Sequence, residues 1–150
     1  MANYTTIAKF KVVARNISAD GSLTATMTDA DIQQFLDEAD SIINSKLSAL
    51  YYTPLITITR SNDTHYPDPI PYIATRISAG LAVRANYSRI EPTVSENAEA
   101  HLKDALRELD DLYNGVYMGS RRLDGQKLKA KTAFLNPYSA PLEQPKGPIA

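Results

Sequence analysis

A continuous apolar stripe at helical spacing runs through residues 28–51 and constrains the fold more than any other feature of this sequence. Its members recur at steps of three and four residues, which places them on one face of an α-helix. Thr28 is suited to cap this helix, and Asp29 and Asp31 put negative charge on the first turn, where backbone N–H groups lack partners. Pro54 ends the helix. The stripe comprises Ile32, Phe35, Leu36, Ala39, Ile42, Ile43, Leu47 and Leu50.

A second stripe predicts a helix that begins at Pro71 and ends between residues 86 and 89. Proline is tolerated in a first helical turn because its missing N–H would lack a partner there. Small residues in the segment allow close packing against another helix, and its arginines lie on the opposite face. The stripe comprises Ile73, Ile77, Leu81 and Ala85; the small residues are Ala74, Ser78, Ala79, Gly80 and Ala82, and the arginines are Arg76, Arg84 and Arg89.

A third stripe predicts a helix that Thr93 or Ser95 caps and that ends at Asn114–Gly115 or at Gly119. Its other face is charged, and such faces are usually solvated. In a ring-shaped assembly, acidic faces of this kind could line a channel and repel DNA. The apolar positions are Ala98, Leu102, Ala105, Leu106, Leu109, Leu112, Tyr113 and Val116.

The N-terminal part predicts a short helix and a loop. Residues 5–14 carry apolar side chains at helical spacing, although their β-branched residues leave a strand as an alternative. Residues 15–28 have the composition of a loop, within which SLTATMT (22–28) has the β-propensity of a short strand. The apolar face of the short helix comprises Ile7, Phe10, Val13 and Ala14.

Prolines mark the two non-helical parts of the chain, residues 54–71 and 137–148. In the first part, LITITR (55–60) alternates and is rich in β-branched residues, which is typical of a strand. The following SNDTHYPDP (61–69) is typical of a turn or surface loop. Loops of this length in a small domain are usually functional or engaged in contacts.

The sequence changes character from residue 120 onward. A basic stretch is followed by a proline-rich segment whose apolar residues are too sparse for a core of its own. We expect an extended arm that becomes ordered on a partner, and the alternative is a disordered tail. The basic residues are Arg121, Arg122, Lys127, Lys129 and Lys131; the apolar anchors are Phe134, Leu135, Tyr138, Leu142 and Ile149.

These patterns predict a mainly α fold. It is a small bundle of three to four helices with a long first core helix, minor β-structure in the 53–71 loop and an extended C-terminal arm. Residues 1–119 form the helical domain, and residues 120–150 form the arm. The chain has 16 basic and 17 acidic residues, so no overall field draws it toward nucleic acid or membrane. It has no cysteine, which excludes disulfides and thiolate metal sites. No apolar run approaches the ~18–20 residues of a membrane span, and we expect a soluble protein.

Residues that carry chemistry are few, and we expect no enzyme, cofactor or metal site. His65 and His101 lie in different predicted elements, and neither has a second histidine at metal-ligand spacing. The sequence has no nucleophile elbow and no phosphate-cradling glycine loop. The basic stretch 121–131 leaves one alternative, a DNA-binding accessory or regulatory protein, although it lacks interleaved aromatic residues and a recognition helix.

The middle of the chain resembles the head–tail adaptors (connectors) of tailed bacteriophages of the siphophage type. The resemblance rests on four segments that occur in the family's order: YTTIAKF (4–10), TDADIQQFLDEADSIINSKL (28–47), LYYTPL (50–55) and IPYIATRISAGLAVRANYS (70–88). The segment SENAEAHLKDALRELDDLYNG (95–115) is similar to the family's last long helix. The 55–69 insertion and the C-terminal segment depart from the family pattern.

The resemblance implies a structural protein of the virion neck that is made in the host cytoplasm. Such adaptors form a ring, commonly of twelve copies, under the portal protein and contact a head-closure or tail-terminator protein. Packaged DNA passes through the channel without sequence-specific contacts, and no membrane is involved. On this basis the arm residues Arg121, Arg122, Lys127, Lys129, Lys131, Phe134, Leu135, Tyr138 and Leu142 are candidates for binding the portal or a neighbouring subunit. The loop residues Ile56, Ile58, His65 and Tyr66 are candidates for contact with another subunit or the next ring.

Overall fold

The computed structural model describes residues 3–18, 26–87, 92–119 and 122–129. Within these residues the chain forms four helices and a small two-stranded sheet, which confirms the predicted mainly α fold. The elements are α1 (Ile7–Ser18), α2 (Asp29–Leu47), β1 (Ile58–Arg60), β2 (Asp63–His65), α3 (Ile70–Tyr87) and α4 (Pro92–Tyr117). None of the described helices combines the length and apolarity needed to cross a membrane.

Helix α1 is longer than the sequence pattern predicted. The prediction of a loop from residue 15 was wrong for residues 15–18, because Ile17 continues the buried face begun by Phe10 and Ala14. Ser18 ends the helix, and its hydroxyl donates a hydrogen bond of 2.9 Å to the Ala14 carbonyl. The strand alternative for residues 5–14 is also wrong. Of the predicted strand 22–28, residues 22–25 lie outside the described residues, and 26–28 contain no strand.

Helix α2 begins as predicted and ends earlier. The Thr28 hydroxyl accepts the Asp31 N–H at 3.1 Å and the Asp31 carboxylate accepts the Thr28 N–H at 3.0 Å, which completes a capping box. The helix stops at Leu47 and not at residue 51, where the Leu50 N–H donates to the Leu47 carbonyl only three residues back and tightens the chain into a turn. This turn brings Leu50 and Tyr51 into the core, where both are fully buried.

The 53–71 loop contains a β-hairpin. Only the last three residues of the predicted strand 55–60 form β1, and β2 lies within the segment predicted as a loop. The turn residues Ser61 and Asn62 have φ values of 49° and 67°, the left-handed conformations that a two-residue hairpin turn requires. The strands pair antiparallel, with Ile58 opposite His65.

Helix α3 lies at the centre of the bundle and contacts the other three helices. Gly80 permits the close approach of α4, since a Cβ at this position would lie 3.1 Å from the Leu102 Cβ. The prediction that Arg76 lies on the face opposite the apolar stripe, away from the core, was wrong. Its side chain is buried against α4, donates to Glu108 at 2.8 Å and lies over the Tyr72 ring.

Helix α4 begins at Pro92, so the predicted caps Thr93 and Ser95 lie inside the helix. Proline is favoured in a first helical turn, so the helix begins before both hydroxyl residues. Of the two predicted ends of this helix, Asn114–Gly115 and Gly119, the structure confirms Gly119. Gly119 has a φ of 75° and donates to the Val116 carbonyl at 2.9 Å, whereas Asn114 and Gly115 remain helical.

Candidate interaction surface

The first described residues of the predicted arm pack against the helical body. We call residues 122–129 the strap. Leu128 pairs antiparallel with Tyr51, and the Lys129 N–H donates to the Leu50 carbonyl at 2.9 Å. Leu123 is only 2% exposed, and its N–H donates to the Tyr51 hydroxyl at 2.6 Å. The folded body therefore extends past residue 119 and includes the strap.

Gln126 fixes the strap to the loop before the hairpin. Its side-chain amide donates to the Ile56 carbonyl at 2.7 Å and its side-chain oxygen accepts the Ile56 N–H at 2.9 Å. This pair of bonds imitates strand pairing, because one side-chain amide offers the donor and the acceptor of a backbone peptide. Gln126 is buried, and its two hydrogen bonds hold the backbone of Ile56 in place. The Ile56 side chain points to solvent.

The strap also contacts the hairpin. Gly125 has a φ of 69°, and a Cβ there would overlap the Ile58 side chain. The absence of a side chain at position 125 therefore lets Ile58 pack on the strap backbone. Next to this contact, Arg60 forms an ion pair with Asp124. Strap and hairpin thus present one continuous surface.

Tyr4 anchors the same loop from the other side. Its hydroxyl accepts the Leu55 N–H at 2.8 Å and donates to the Asn44 side chain, and its ring meets the Tyr66 ring edge-on at 4.8 Å between centroids. Burial raises the pKa of Tyr4 to about 12. The Tyr4 hydroxyl therefore stays protonated near neutral pH, which it must be in order to donate its hydrogen bond to Asn44.

Asp40 of α2 is a buried carboxylate in this anchor. It accepts the Asn3 side-chain amide at 2.8 Å and the Tyr4 N–H at 3.3 Å. Burial raises the pKa of Asp40 above its ordinary value of 3.8, although both hydrogen bonds act in the opposite direction. On the exposed side of the same helix, hydrogen bonds from Asn3 and Gln33 lower the pKa of Asp37.

These opposite pKa shifts predict opposite pH dependences for two matched variants. Between pH 3.8 and its raised native pKa, Asp40 binds more protons in the folded than in the unfolded chain, so its contribution to stability falls as pH rises. Relative to wild type, Asp40→Asn should therefore gain stability as pH rises from 3.8 toward neutrality. The native pKa of Asp37 lies below 3.8, so its contribution to stability is present above pH 3.8 and is lost as pH falls below it; relative to wild type, Asp37→Asn should lose stability as pH rises toward 3.8. Urea unfolding of the three proteins measures this, and slopes of equal sign would contradict the assignment.

The surface formed by loop, hairpin and strap is the candidate interaction surface. It displays two of the large apolar side chains that the structure exposes, Tyr52 at 58% and Ile56 at 61%. Of the loop residues predicted as contacts, Ile56 is exposed and Ile58 is half-buried against Gly125 of the strap. Tyr66 is turned inward onto Tyr4. His65 is half-buried, with its Nδ1 3.5 Å from the Asp63 carboxylate and outside hydrogen-bonding geometry.

Part of the predicted basic cluster borders this surface. Arg122 and Lys127 line an open cleft of about 750 Å³ together with Arg60 of the hairpin. Arg122 donates to the Gln126 carbonyl at 3.0 Å, and Lys129 lies over the Tyr52 ring. The remaining predicted arm residues lie outside the described residues; they are Arg121, Lys131, Phe134, Leu135, Tyr138 and Leu142.

Sequence reasoning missed the residues that hold this surface in place. Asp40 carried a signal, because it lies four residues after Leu36 and three before Ile43, inside the apolar stripe. A carboxylate at such a position calls for a buried partner. Gln126 carried no signal, since its partner Ile56 is 70 residues away in the chain.

Comparisons with known proteins identified no relative of this chain. No family model, curated protein or solved structure matches the chain. Among the residues that the structure describes, no group of three or more histidine, aspartate or glutamate side chains is placed to hold a metal ion.

Proposed function

We propose that this chain is a structural head–tail adaptor of a tailed bacteriophage. Copies of it form a ring beneath the portal of the filled head, extend the DNA channel, and dock the head-closure or tail-terminator protein. The protein acts in the neck of the virion after assembly in the host cytoplasm. Its role is structural and requires neither a catalytic group nor a cofactor.

The observation that supports this proposal most is how the adaptor-like segments meet. Tyr4, from the first segment, binds the backbone of Leu55 in LYYTPL. Tyr51 of the same motif binds the strap through Leu123. The motif residues thus build a rigid support for one exposed apolar surface, which is what a docking protein needs.

The exit point of the C-terminal segment is a second support. The Lys129 N–H donates to the Leu50 carbonyl and the Lys127 carbonyl accepts the Tyr52 N–H, so the chain that follows leaves the body beside the end of α2. The Lys129 ammonium lies over the exposed Tyr52 ring, so the last described residue of the strap borders the candidate interaction surface. Exposed aromatic and aliphatic side chains on a rigid frame are typical centres of protein interfaces.

Substitution of the exposed pair tests the docking role. The double variant Tyr52→Ala/Ile56→Asp should bind the portal ring at least about tenfold more weakly, the loss expected for about 1.4 kcal/mol of contact energy. Its stability should stay near that of wild type because both side chains are exposed. The control Glu99→Ala, on the exposed face of α4, should bind normally. Equal affinity of both variants would remove this surface from the proposal.

A second candidate function is DNA binding, and the cleft lined by Arg122 and Lys127 favours it; Arg60 lines the same cleft but is paired with Asp124 there. Cations around one cleft release counterions when they bind phosphate. This alternative predicts salt-dependent binding to duplex DNA that Arg122→Glu/Lys127→Glu abolishes. A gel-shift assay at low salt measures it, and the adaptor proposal expects no shift that depends on these two residues.

A further inference from the structure

The candidate interaction surface carries unpaired positive charge around its exposed apolar side chains. Arg60 is paired with Asp124, and the second carboxylate of this surface, Asp63, lies in the hairpin beside His65. Among the residues that the structure describes, the other three cations of the surface have no carboxylate partner. These three cations are Arg122, Lys127 and Lys129.

The pairing of the strap places two of the three cations beside Tyr52. Because Leu128 pairs with Tyr51, Lys127 stands directly opposite Tyr52, and the Tyr52 N–H donates to the Lys127 carbonyl at 3.2 Å. Opposed residues of an antiparallel pair have their side chains on the same face. The Lys129 ammonium lies 5.9 Å from the centroid of the Tyr52 ring. Both lysines therefore flank an aromatic ring that is 58% exposed.

The third cation, Arg122, is held next to the residue that positions Ile56. Its guanidinium donates to the Gln126 carbonyl at 3.0 Å, and the Gln126 side chain binds both backbone groups of Ile56. A guanidinium has five N–H donors, of which this bond uses one. Arg122 is exposed and lines the open cleft beside the strap. It can therefore offer two parallel donors to an incoming carboxylate.

We propose that this surface receives an acidic segment of another protein, in which carboxylates flank an apolar side chain. The apolar side chain covers Tyr52 and Ile56, and the carboxylates meet the three unpaired cations. Complementary charge of this kind fixes the register of a contact and speeds the encounter of the two proteins. The inference names the kind of partner that the proposed adaptor docks, and the identification of that partner as a neck component rests on the proposed function.

The chemistry of the surface favours another protein over two other occupants. Residues 130–150 of the chain itself carry Lys131 and Lys146 against Glu143 alone, so this segment does not supply the carboxylates. Duplex DNA matches the cations, but its phosphate backbone has no apolar group to cover Ile56, which is 61% exposed. An acidic protein segment with an apolar side chain matches both features of the surface.

Titration with a model peptide, followed by NMR of the full-length protein, tests the inference. The probe is a short peptide rich in aspartate with a central leucine, and its control has asparagine in place of aspartate. At low salt, the aspartate peptide should shift the backbone amide signals of residues 52–56 and 122–129 and leave those of α1 unchanged. It should bind at least about tenfold more tightly than the asparagine peptide, and added salt should weaken it.

Two charge-reversed variants with the same net charge separate local from overall charge. Arg122→Glu/Lys127→Glu should weaken binding of the aspartate peptide at least about tenfold, because like charges then face each other. Lys9→Glu/Lys103→Glu alters exposed cations of α1 and α4 and should change the affinity less than about twofold. Ile56→Ser keeps the charge and should weaken the peptide several-fold through the lost apolar contact.

Binding of the portal ring, measured in parallel, keeps the inference separable from the proposed function. If wild type binds the portal while the two peptides bind equally, or both charge-reversed variants lose affinity equally, the inference is overturned and the adaptor function stands. If the aspartate peptide binds selectively and the portal is not bound, the inference stands and the adaptor function falls.

Three further outcomes overturn the inference by naming a different occupant or a different mode of binding. Duplex DNA that binds this surface more tightly than the aspartate peptide would make it a nucleic-acid site. Self-association at low salt that Arg122→Glu/Lys127→Glu abolishes would make a second copy of the chain the occupant. Equal peptide affinity of Ile56→Ser and wild type would mean that charge alone binds the peptide.

Discussion

The substitution Gly80→Val is expected to lower the free energy of unfolding by about 3 kcal/mol, the upper range for overpacking a closely packed site. A Cβ at position 80 already lies 3.1 Å from the Leu102 Cβ and 3.3 Å from the Ala98 carbonyl oxygen. The branched γ-carbons of valine have no space between the helices, so α3 and α4 must separate.

Gly80→Ala is the matched control, and urea unfolding of both variants is the measurement. Alanine needs a shift of only a few tenths of an ångström and gains about 1 kcal/mol of helix propensity over glycine, so its net effect should be small. A valine variant as stable as the alanine variant would mean that α3 and α4 do not approach closely at Gly80.

Leu123→Ala is expected to cost about 3 kcal/mol, within the range for truncating a buried leucine. The side chain lies in the main core cluster with Tyr51 and Leu112. A freely extended arm starting at residue 120 would lose almost nothing on the same substitution. The prediction thus distinguishes a strap that belongs to the folded body from an arm that leaves it at residue 120.

Lys127→Ala provides the control within the strap. Its side chain is exposed, and removing it should change the stability by less than about 0.5 kcal/mol. Both variants can be compared with wild type in urea. Equal and small effects at positions 123 and 127 would place the strap outside the folded body.

Local interactions explain which parts of the fold the sequence predicted. The start of α2 is encoded by Thr28 and Asp31, which are three residues apart and complete their capping box without help from the rest of the chain. The end of α4 is encoded by Gly119, whose positive φ suits glycine. Apolar spacing identified α1, α2 and α4 because each of them buries one face, whereas the central helix α3 is buried on every side from Ile73 to Gly80.

Long-range partners explain what the sequence could not predict. Arg76 was predicted to lie on the face opposite the apolar stripe, yet Glu108, 32 residues away, stabilises it at a buried position. The strap was predicted to be part of an extended arm. Its contacts with Tyr51 and Ile56 join segments about 70 residues apart, so the local sequence does not indicate them. Neither contact leaves a pattern within a window of neighbouring residues.

In the candidate interaction surface, too, local sequence predicted one part and long-range contacts determine the rest. Its loop was selected as a contact site from length and prolines alone, and the structure exposes Ile56 there. Which loop residues face outward depends on Tyr4 and Gln126, which come from opposite ends of the described chain. Tyr66 therefore turned inward, although the loop composition alone would suit either orientation.

The most direct test of the adaptor proposal is electron cryo-microscopy of the full-length protein mixed with the portal ring of the same particle. We expect a single ring of this chain, coaxial with the portal, with one continuous channel through both. Within that ring, the surface bearing Tyr52 and Ile56 should lie against the portal or face the next neck component. Portal rings that remain bare at protein concentrations well above micromolar would contradict the proposed function.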